Sequence, residues 1–500
     1  MVVLMTDDQG PEMMRALPTV TRQIGRPGVT FTDALISYPL CCPSRATLLT
    51  GEYAHNHGTK GNNGQSGGGY ANLLLPRHNL AAWLEAAGYR THFVGKWLNG
   101  LRQPRVAPPG WTSWNALIGA GGEGLSSFYD YDVFEPDGSA RHYGDAASDY
   151  QTDALTRDYA LPIVNAEAVQ PGPFFLWMAY HPPHFGVGRD DPAGRRCSLG
   201  PPDERGSKQS AIPPPRYADR FLRAPIPQPP SFDEADVSDK PRFVRRREPL
   251  SADDLERIAR DYRCGLAALL AVDDSVRAIM DALSNTGQLD NTVVVFMTDN
   301  GVLAGQHRIA VGKNRPYEEA IDTPLAIRGP GFAAGSTVDT PVANVDLAPT
   351  IVELAGASVP AELARPVDGR SLVPELQTGL GLDPNRAVLI EGRDDLAPAH
   401  HGFKVLSYVG VRTARYAYIE SRRATSSSRL AAKRMAIGAG RTTAIELYDL
   451  RRDPYELSNR ARDSAYAAVR EALADHLRAL AACSGPSCLA DAALPRPAQR

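Results

Sequence analysis

Val2-Val3-Leu4-Met5-Thr6-Asp7-Asp8, an unbroken apolar run that ends in two carboxylates, decides how the chain folds. Runs without polar alternation suit strands covered on both faces, as in a parallel sheet. The pattern returns at residues 292–300, where Val-Val-Val-Phe-Met ends in Thr298-Asp299-Asn300. A third run, Pro173-Phe174-Phe175-Leu176-Trp177-Met178-Ala179, leads into His181-Pro182-Pro183-His184. Helical patterns lie between these runs. Residues 78–87 place Leu80, Trp83 and Leu84 on one face. Residues 255–283 form the longest pattern, with Leu266, Leu269, Leu270, Ile279, Met280 and Leu283 apolar. Its exposed face is read as Asp273, Asp274, Arg277 and Asp281, and Asn285-Thr286-Gly287 stops it. Strands alternating with helices predict an α/β fold: a large doubly wound, mostly parallel sheet with helices on both faces. Ligands of such folds bind beyond the carboxyl ends of the strands, where all three loaded segments fall.

Past about residue 375 the texture changes. Residues 408–419 and 444–450 read as strands and 464–482 as an amphipathic helix, which predicts a small C-terminal antiparallel sheet with a packed helix. The division expected is a catalytic domain over 1–375 and a C-terminal subdomain over 376–500, with 489–500 a flexible tail. Residues 185–250 read as a long irregular insertion, rich in Pro201-Pro202, Pro213-Pro214-Pro215 and Arg245-Arg246-Arg247. An insertion of this length either walls a cleft or merely covers the surface.

The 500 residues are 43% hydrophobic and 22% charged, ordinary values for a soluble globular protein. A formal net charge of -3 gives no sign of nucleic acid or an anionic membrane as the main partner. The longest apolar runs, such as 265–272, are too short to span a bilayer. The chain opens inside a strand-like run with no visible signal peptide, so the expectation is an exported protein whose leader, or first few residues, this chain lacks. The six cysteines are Cys41, Cys42, Cys197, Cys264, Cys483 and Cys488, with no zinc-like spacing. Cys483 and Cys488 either close a local disulfide, which fits an oxidising compartment, or remain thiols in a tail.

The densest chemical signal is Cys41-Cys42-Pro43-Ser44-Arg45-Ala46-Thr47-Leu48-Leu49-Thr50-Gly51. Pro43 fits a first helical turn and Gly51 a helix end. Cys41 then sits at a helix N-terminus, where free N–H groups favour a negative oxygen, and Arg45 reaches back from four residues on. Asp7, Asp8, Asp299 and Asn300 are hard oxygen donors at strand ends, of the kind that select Ca²⁺ or Mg²⁺ over zinc. Alone, either pair also fits a helix cap or a turn.

The run at 41–51 resembles the Cys-x-Pro-Ser-Arg motif, followed by Thr-Gly, of the formylglycine-dependent sulfatases in the alkaline phosphatase superfamily. The resemblance spans nearly the whole chain. It implies an alkaline-phosphatase-like fold and a Cys41 oxidised to formylglycine by a separate formylglycine-generating enzyme. It further implies Ca²⁺, or Mg²⁺ in its place, on Asp7, Asp8, Asp299, Asn300 and the oxygen that replaces the Cys41 sulfur. Gly95-Lys96-Trp97-Leu98-Asn99 resembles the family's Gly-Lys motif, which makes Lys96 a sulfate contact. Leu98 stands where many relatives carry His, and Asn99 is the candidate substitute. Pro183-His184 resembles Ala-Pro-His, which makes His184 the acid or sulfate ligand and His181 a bystander. Gly312-Lys313 with Pro316-Tyr317-Glu318-Glu319 resembles the second lysine motif. His55, His57 and His307 contact substrate or order their loops. Residues 230–241, with Cys41-Cys42 and Lys96-Trp97-Leu98-Asn99, resemble the branch of N-acetylglucosamine-6-sulfatases and extracellular heparan sulfatases. Glu446-Leu447-Tyr448-Asp449-Leu450 and Asp453-Pro454-Tyr455-Glu456-Leu457 resemble the C-terminal subdomain.

These resemblances imply hydrolysis of sulfate esters of amino sugars or glycans, with aryl sulfates as further substrates and 6-O-sulfated N-acetylglucosamine as the first compound to try. The insertion's Tyr217, Phe221, Phe232 and arginines would then stack on sugar rings and pair with sulfates. Two rivals remain: a phosphonate monoester or phosphodiester hydrolase on the same fold, and a catalytically silent protein that binds sulfated glycans.

Overall fold

The computed structural model describes the chain except residues 63–66, 75–77, 100–106, 119–127, 187–196, 198–209, 360–365, 382, 394–396, 400–401, 490–493, 496 and 498–500. Part of the 185–250 insertion, Pro201-Pro202 included, and most of the expected tail lie outside the described residues.

The opening apolar run is the strand Val2–Asp7, and the sheet around it has ten strands. Its neighbours, Val294–Thr298 and Phe174–Pro183, are both parallel to it, and the register sets Val3 beside Val295 and Trp177. Arg90–Gly95 and Ser113–Ile118 continue the parallel set. Leu325–Arg328 runs antiparallel beside Val294–Thr298, with Val29–Phe31 antiparallel to it and Ser336–Val338 parallel to Val29–Phe31 at that edge; antiparallel Tyr131–Phe134 and Ala140–Tyr143 lie beyond Ser113–Ile118 at the other.

Successive strand side chains point to opposite faces, so a run with no polar residue feeds two cores. Val3, Met5, Trp177, Val295 and Met297 pack on one face, with Cys42, Ala46 and Leu49 of the helix Cys41–Thr50. Val2, Leu4, Leu176, Met178, Val294 and Phe296 pack on the other, against the helix Ala252–Asn285. Ser251 and Asp254 form a capping box that starts this long helix, a contact of about 1 kcal/mol. One residue departs from its expected exposed face. Asp273 is buried and accepts hydrogen bonds from the Thr19 backbone N–H and hydroxyl, both at 2.7 Å.

The second sheet runs Ala387–Arg393, Gly402–Thr413, Tyr416–Ser426 and Arg441–Asp449, antiparallel throughout, with Ala397–Ala399 pairing at one side. The helix Ala467–Leu480 lays Val469, Leu473, Leu477 and Leu480 onto it. Leu35, Tyr53 and Val345 share a core with Val388, Val411 and Tyr418, so the two sheets are joined by apolar packing. A disulfide closes Cys483 to Cys488. A second one, Cys197 to Cys264, fastens the insertion to the long helix. Among the described residues no helix is long and apolar enough to cross a membrane.

Candidate active site

The helix Cys41–Thr50 has Pro43 in its first turn and ends on Gly51 at φ 66°, a left-handed position that glycine occupies without strain. Every one of its residues is buried. Cys41 opens the helix, and the first-turn N–H groups expected to be free are mostly taken: Cys42 donates to Asn62 Oδ1 at 2.9 Å, Ser44 donates to the Leu40 carbonyl at 3.0 Å, and Pro43 has none. Arg45, fully buried, offers Nε to Asp299 at 2.8 Å, Nη2 to Asp7 at 2.9 Å and Nη1 to the Lys96 carbonyl. A buried guanidinium is tolerable only when paired in this way.

The strand ends bring the other groups in. Asp8 has φ 63°, an uncommon conformation for a residue with a side chain, and it aims the second carboxylate back at the helix. Lys313 Nζ lies 2.6 and 2.8 Å from the Asp8 oxygens and 2.9 Å from Cys41 Sγ. Lys96 Nζ pairs with Asp7 and stands 4.0 Å from the same sulfur. Gly95 before it must be glycine: at φ 111°, a Cβ would meet the Ala179 carbonyl oxygen at 2.0 Å. Trp97 after it is held in a cluster around Phe93, with ring centroids 4.7 Å apart, and this anchors the turn that carries Lys96. His184 donates Nδ1–H to the Phe185 carbonyl at 2.8 Å, which leaves Nε2 facing Asp8 at 3.5 Å and Asp7 at 3.9 Å. Asp299 Oδ1 accepts from the Asp8 backbone N–H at 3.2 Å. Asn300 Nδ2 donates to Asp8 at 2.6 Å and to the Gly301 carbonyl at 2.9 Å. All nine residues singled out from the sequence thus converge on one place.

The electrostatics of the site are uneven. Burial alone would raise the Asp7 carboxyl, but the cations Lys96, Arg45 and Lys313 hold it well below the usual range. Burial raises Asp8 against the pull of Lys313, and burial together with Asp7 pushes Asp299 up to about 6. Burial, with Asp7 next, pushes the Cys41 thiol far up, so the unmodified side chain is a protonated, weak nucleophile. Burial and Lys96 keep His184 neutral.

The oxygen donors Asp7, Asp8 and Asn300 suit a hard divalent cation. Ligand atoms of Asp7, Asp8, Cys41 and His184 all lie within 4.8 Å of one another. Asn300 Oδ1 is buried with no hydrogen-bond partner, an orphaned oxygen of the kind a cation satisfies.

His55, His57, His307 and His181 each meet partners within the chain. His55 donates from Nδ1 to Glu391 at 3.0 Å and from Nε2 to the Cys483 carbonyl at 2.9 Å. His57 Nε2 is 3.1 Å from the Thr47 hydroxyl, and His307 Nδ1 is 2.7 Å from Glu234. His181 Nε2 meets the Phe185 carbonyl at 3.2 Å, and its ring lies between Phe128 and His184. Leu98 is buried in the tryptophan core, and Asn99 donates its backbone N–H to Cys42 Sγ at 3.0 Å. Tyr217 and Phe221 are half-buried and touch the chain's own surface: Tyr217 donates to Asp274 at 2.6 Å, and Arg15 lies over Phe221. Sequence reading missed Glu391 as the partner of His55, a residue that no local pattern marks. It also missed the Cys197–Cys264 bond, although four cysteines outside the 41–51 motif invite two pairings.

With the geometry in place, the comparisons agree. The sulfatase family model matches residues 1–357, and a model of the N-sulphoglucosamine sulphohydrolase C-terminal region matches 305–431. The chain belongs to the sulfatase family. Members of this family generally use formylglycine and a divalent metal. An extracellular sulfatase SULF-1 homolog of Drosophila melanogaster is 32% identical over 77% of this chain and 32% of its own length. An N-acetylglucosamine-6-sulfatase of Homo sapiens is 31% identical over 78% of this chain and 66% of its own length. The chain therefore spans about a third of the first of these relatives and about two thirds of the second. A solved structure in complex with its substrate D-glucosamine-2-N,6-O-disulfate is 24% identical with TM-score 0.69, covering 96% of each chain. A phosphonate monoester hydrolase from Silicibacter pomeroyi is 23% identical with TM-score 0.61, covering 95% of this chain and 93% of its own. At these identities the structures share the fold.

Proposed function

We propose that the protein hydrolyses sulfate esters of amino sugars or glycans, with Cys41 converted to formylglycine. The observation that carries this reading is the Cys41 sulfur at a helix start, within 2.9 Å of Lys313 Nζ and beside Asp7 and Asp8. A buried thiol held protonated is ill-suited to attack, whereas an aldehyde hydrate on the same carbon carries two hydroxyls. One hydroxyl passes its proton to a neighbouring carboxylate such as Asp299, and its oxygen forms a bond to sulfur as the bond from sulfur to the ester oxygen breaks. His184, protonated once an anionic ester lies against it, gives its proton to the leaving alcohol. The second hydroxyl then loses its proton to the now neutral His184, the carbon–oxygen bond to sulfate breaks, the aldehyde re-forms, and a water molecule adds to it to restore the hydrate. Arg45 orients Asp7 and Asp299, and Lys96 and Lys313 turn their charge to the sulfate oxygens. Asp7, Asp8, Asp299 and Asn300 would hold Ca²⁺, or Mg²⁺, which supplies Lewis acidity at the nucleophile.

Names of relatives support the substrate class: one acts on N-acetylglucosamine-6-sulfate, and a protein of the same fold holds a 6-O-sulfated glucosamine. The two disulfides and the extracellular relatives favour export, with a formylglycine-generating enzyme met on the way. We keep the division at about residue 375, with 1–375 carrying the chemistry. The second reading is phosphonate monoester hydrolysis, favoured by the shared fold. The test is kcat/KM on N-acetylglucosamine-6-sulfate, heparin-type fragments, an aryl sulfate and a phenylphosphonate ester. Turnover led by a sulfated sugar is expected. Turnover led by the phosphonate overturns the reading.

A further inference from the structure

The Arg245-Arg246-Arg247 run belongs to no part of the proposed chemistry. Arg245 and Arg246 line a cleft of about 1030 Å³ between the insertion and the C-terminal sheet. The opposite wall brings Lys404, Arg423, Arg441 and Arg462. Asp239 is the sole acidic side chain in the lining, and it is already engaged by Lys240 at 3.2 Å and by the Asn459 backbone N–H at 2.7 Å. Arg242, Arg245, Arg246, Arg423, Arg441 and Arg462 are exposed and have no carboxylate partner among the described residues. A chain of net charge -3 has therefore gathered unpaired cations into one concavity. Their mutual repulsion is relieved only by anions, and a cleft focuses that field.

We propose that this cleft binds a run of sulfated glycan beyond the sugar being desulfated. The ligand class rests on the proposed function. The volume exceeds what one small ligand fills, which suits an oligosaccharide. Arginine dominates the lining, and its planar fork matches oxyanions better than a lysine ammonium does. The cleft also joins the active site along the chain. Lys313 contacts Cys41 and Asp8, the next residue turns at φ 57°, and Arg315 and Pro316 line the cleft. Single-stranded nucleic acid fits less well, because its grooves interleave cations with open aromatic platforms. Here the exposed Phe243 ring is covered by Arg315 at 5.4 Å, and Tyr408 is buried.

The test is anisotropy of a fluorescein-labelled heparin octasaccharide with the full chain. Arg423→Ser/Arg441→Ser/Arg462→Ser should weaken binding at least about tenfold and lower the salt slope of log Kd by about two to three. Arg242→Ser/Arg246→Ser, on the other wall, should weaken it independently, and an unchanged thermal melt certifies the fold of each variant. Arg22→Ser/Arg26→Ser, outside the cleft, should bind like the parent. Unchanged affinity in both cleft variants, equal weakening in the control, or tighter binding of a charge-matched oligonucleotide through these arginines would overturn the proposal. Cleft-dependent octasaccharide binding by a matured enzyme that hydrolyses no sulfated sugar supports the cleft and sinks the proposed function alone.

Discussion

Cys41 is the residue on which the proposed chemistry turns. Cys41→Ala should abolish sulfate release while leaving the melting temperature within a few degrees, since a buried thiol is exchanged for a methyl group in an intact helix. Lys313→Met keeps the bulk but removes the charge 2.9 Å from Cys41 Sγ, and should cost about 10²–10³ in kcat. Steady-state kinetics with one sulfated sugar checks both. These residues were legible because each sits in a short motif whose neighbours constrain it. Arg45 and Lys313 stand out through their flanks, and the paired carboxylates through their place at the ends of apolar runs. Other residues were not legible. Asp273 falls on the polar stripe of its helix by spacing, yet its partner Thr19 lies 254 positions away. Glu391 looks like any strand carboxylate until the fold sets it against His55.

At the scale of elements, the contact between the first turn after Gly51 and the C-terminal sheet is where pH should act. Both ring nitrogens of His55 face acceptors, Glu391 and the Cys483 carbonyl, so the bound ring is an imidazolium. Burial opposes this charge, but Glu391 overcomes burial and raises the pKa to about 9. Because the folded value is the higher one, the stabilisation is full below about 6.5 and is lost as pH rises through 9. Thermal melts from pH 6 to 10 should fall across that window, and His55→Gln should flatten the fall. An equal slope in the variant would assign the effect elsewhere. The Cys197–Cys264 bond, of sequence separation 67, acts through the unfolded chain instead. Cys197→Ser/Cys264→Ser should cost about 4 kcal/mol by loop-closure entropy, read by denaturant titration. The sheets themselves were legible from apolar runs alone, because period and length suffice for strands covered on both faces. The order of strands and the Asp8 turn at φ 63° follow from tertiary packing, which no local pattern carries.

For the whole molecule, the candidate cation site lies at the ends of two adjacent strands of the central sheet, Val2–Asp7 and Val294–Thr298. Binding there should stabilise the fold by mass action, so chelation should lower the melting temperature and added Ca²⁺ should restore it. Elemental analysis should find an alkaline-earth ion near stoichiometry; stoichiometric zinc instead would contradict the oxygen-donor reading. The central claim concerns Cys41, and it is tested most directly by mass spectrometry of the peptide carrying residues 41–51, from protein made with a formylglycine-generating enzyme. The account predicts an aldehyde at position 41. A peptide that carries an intact thiol there, in protein that still releases sulfate from a sulfated sugar, would contradict it.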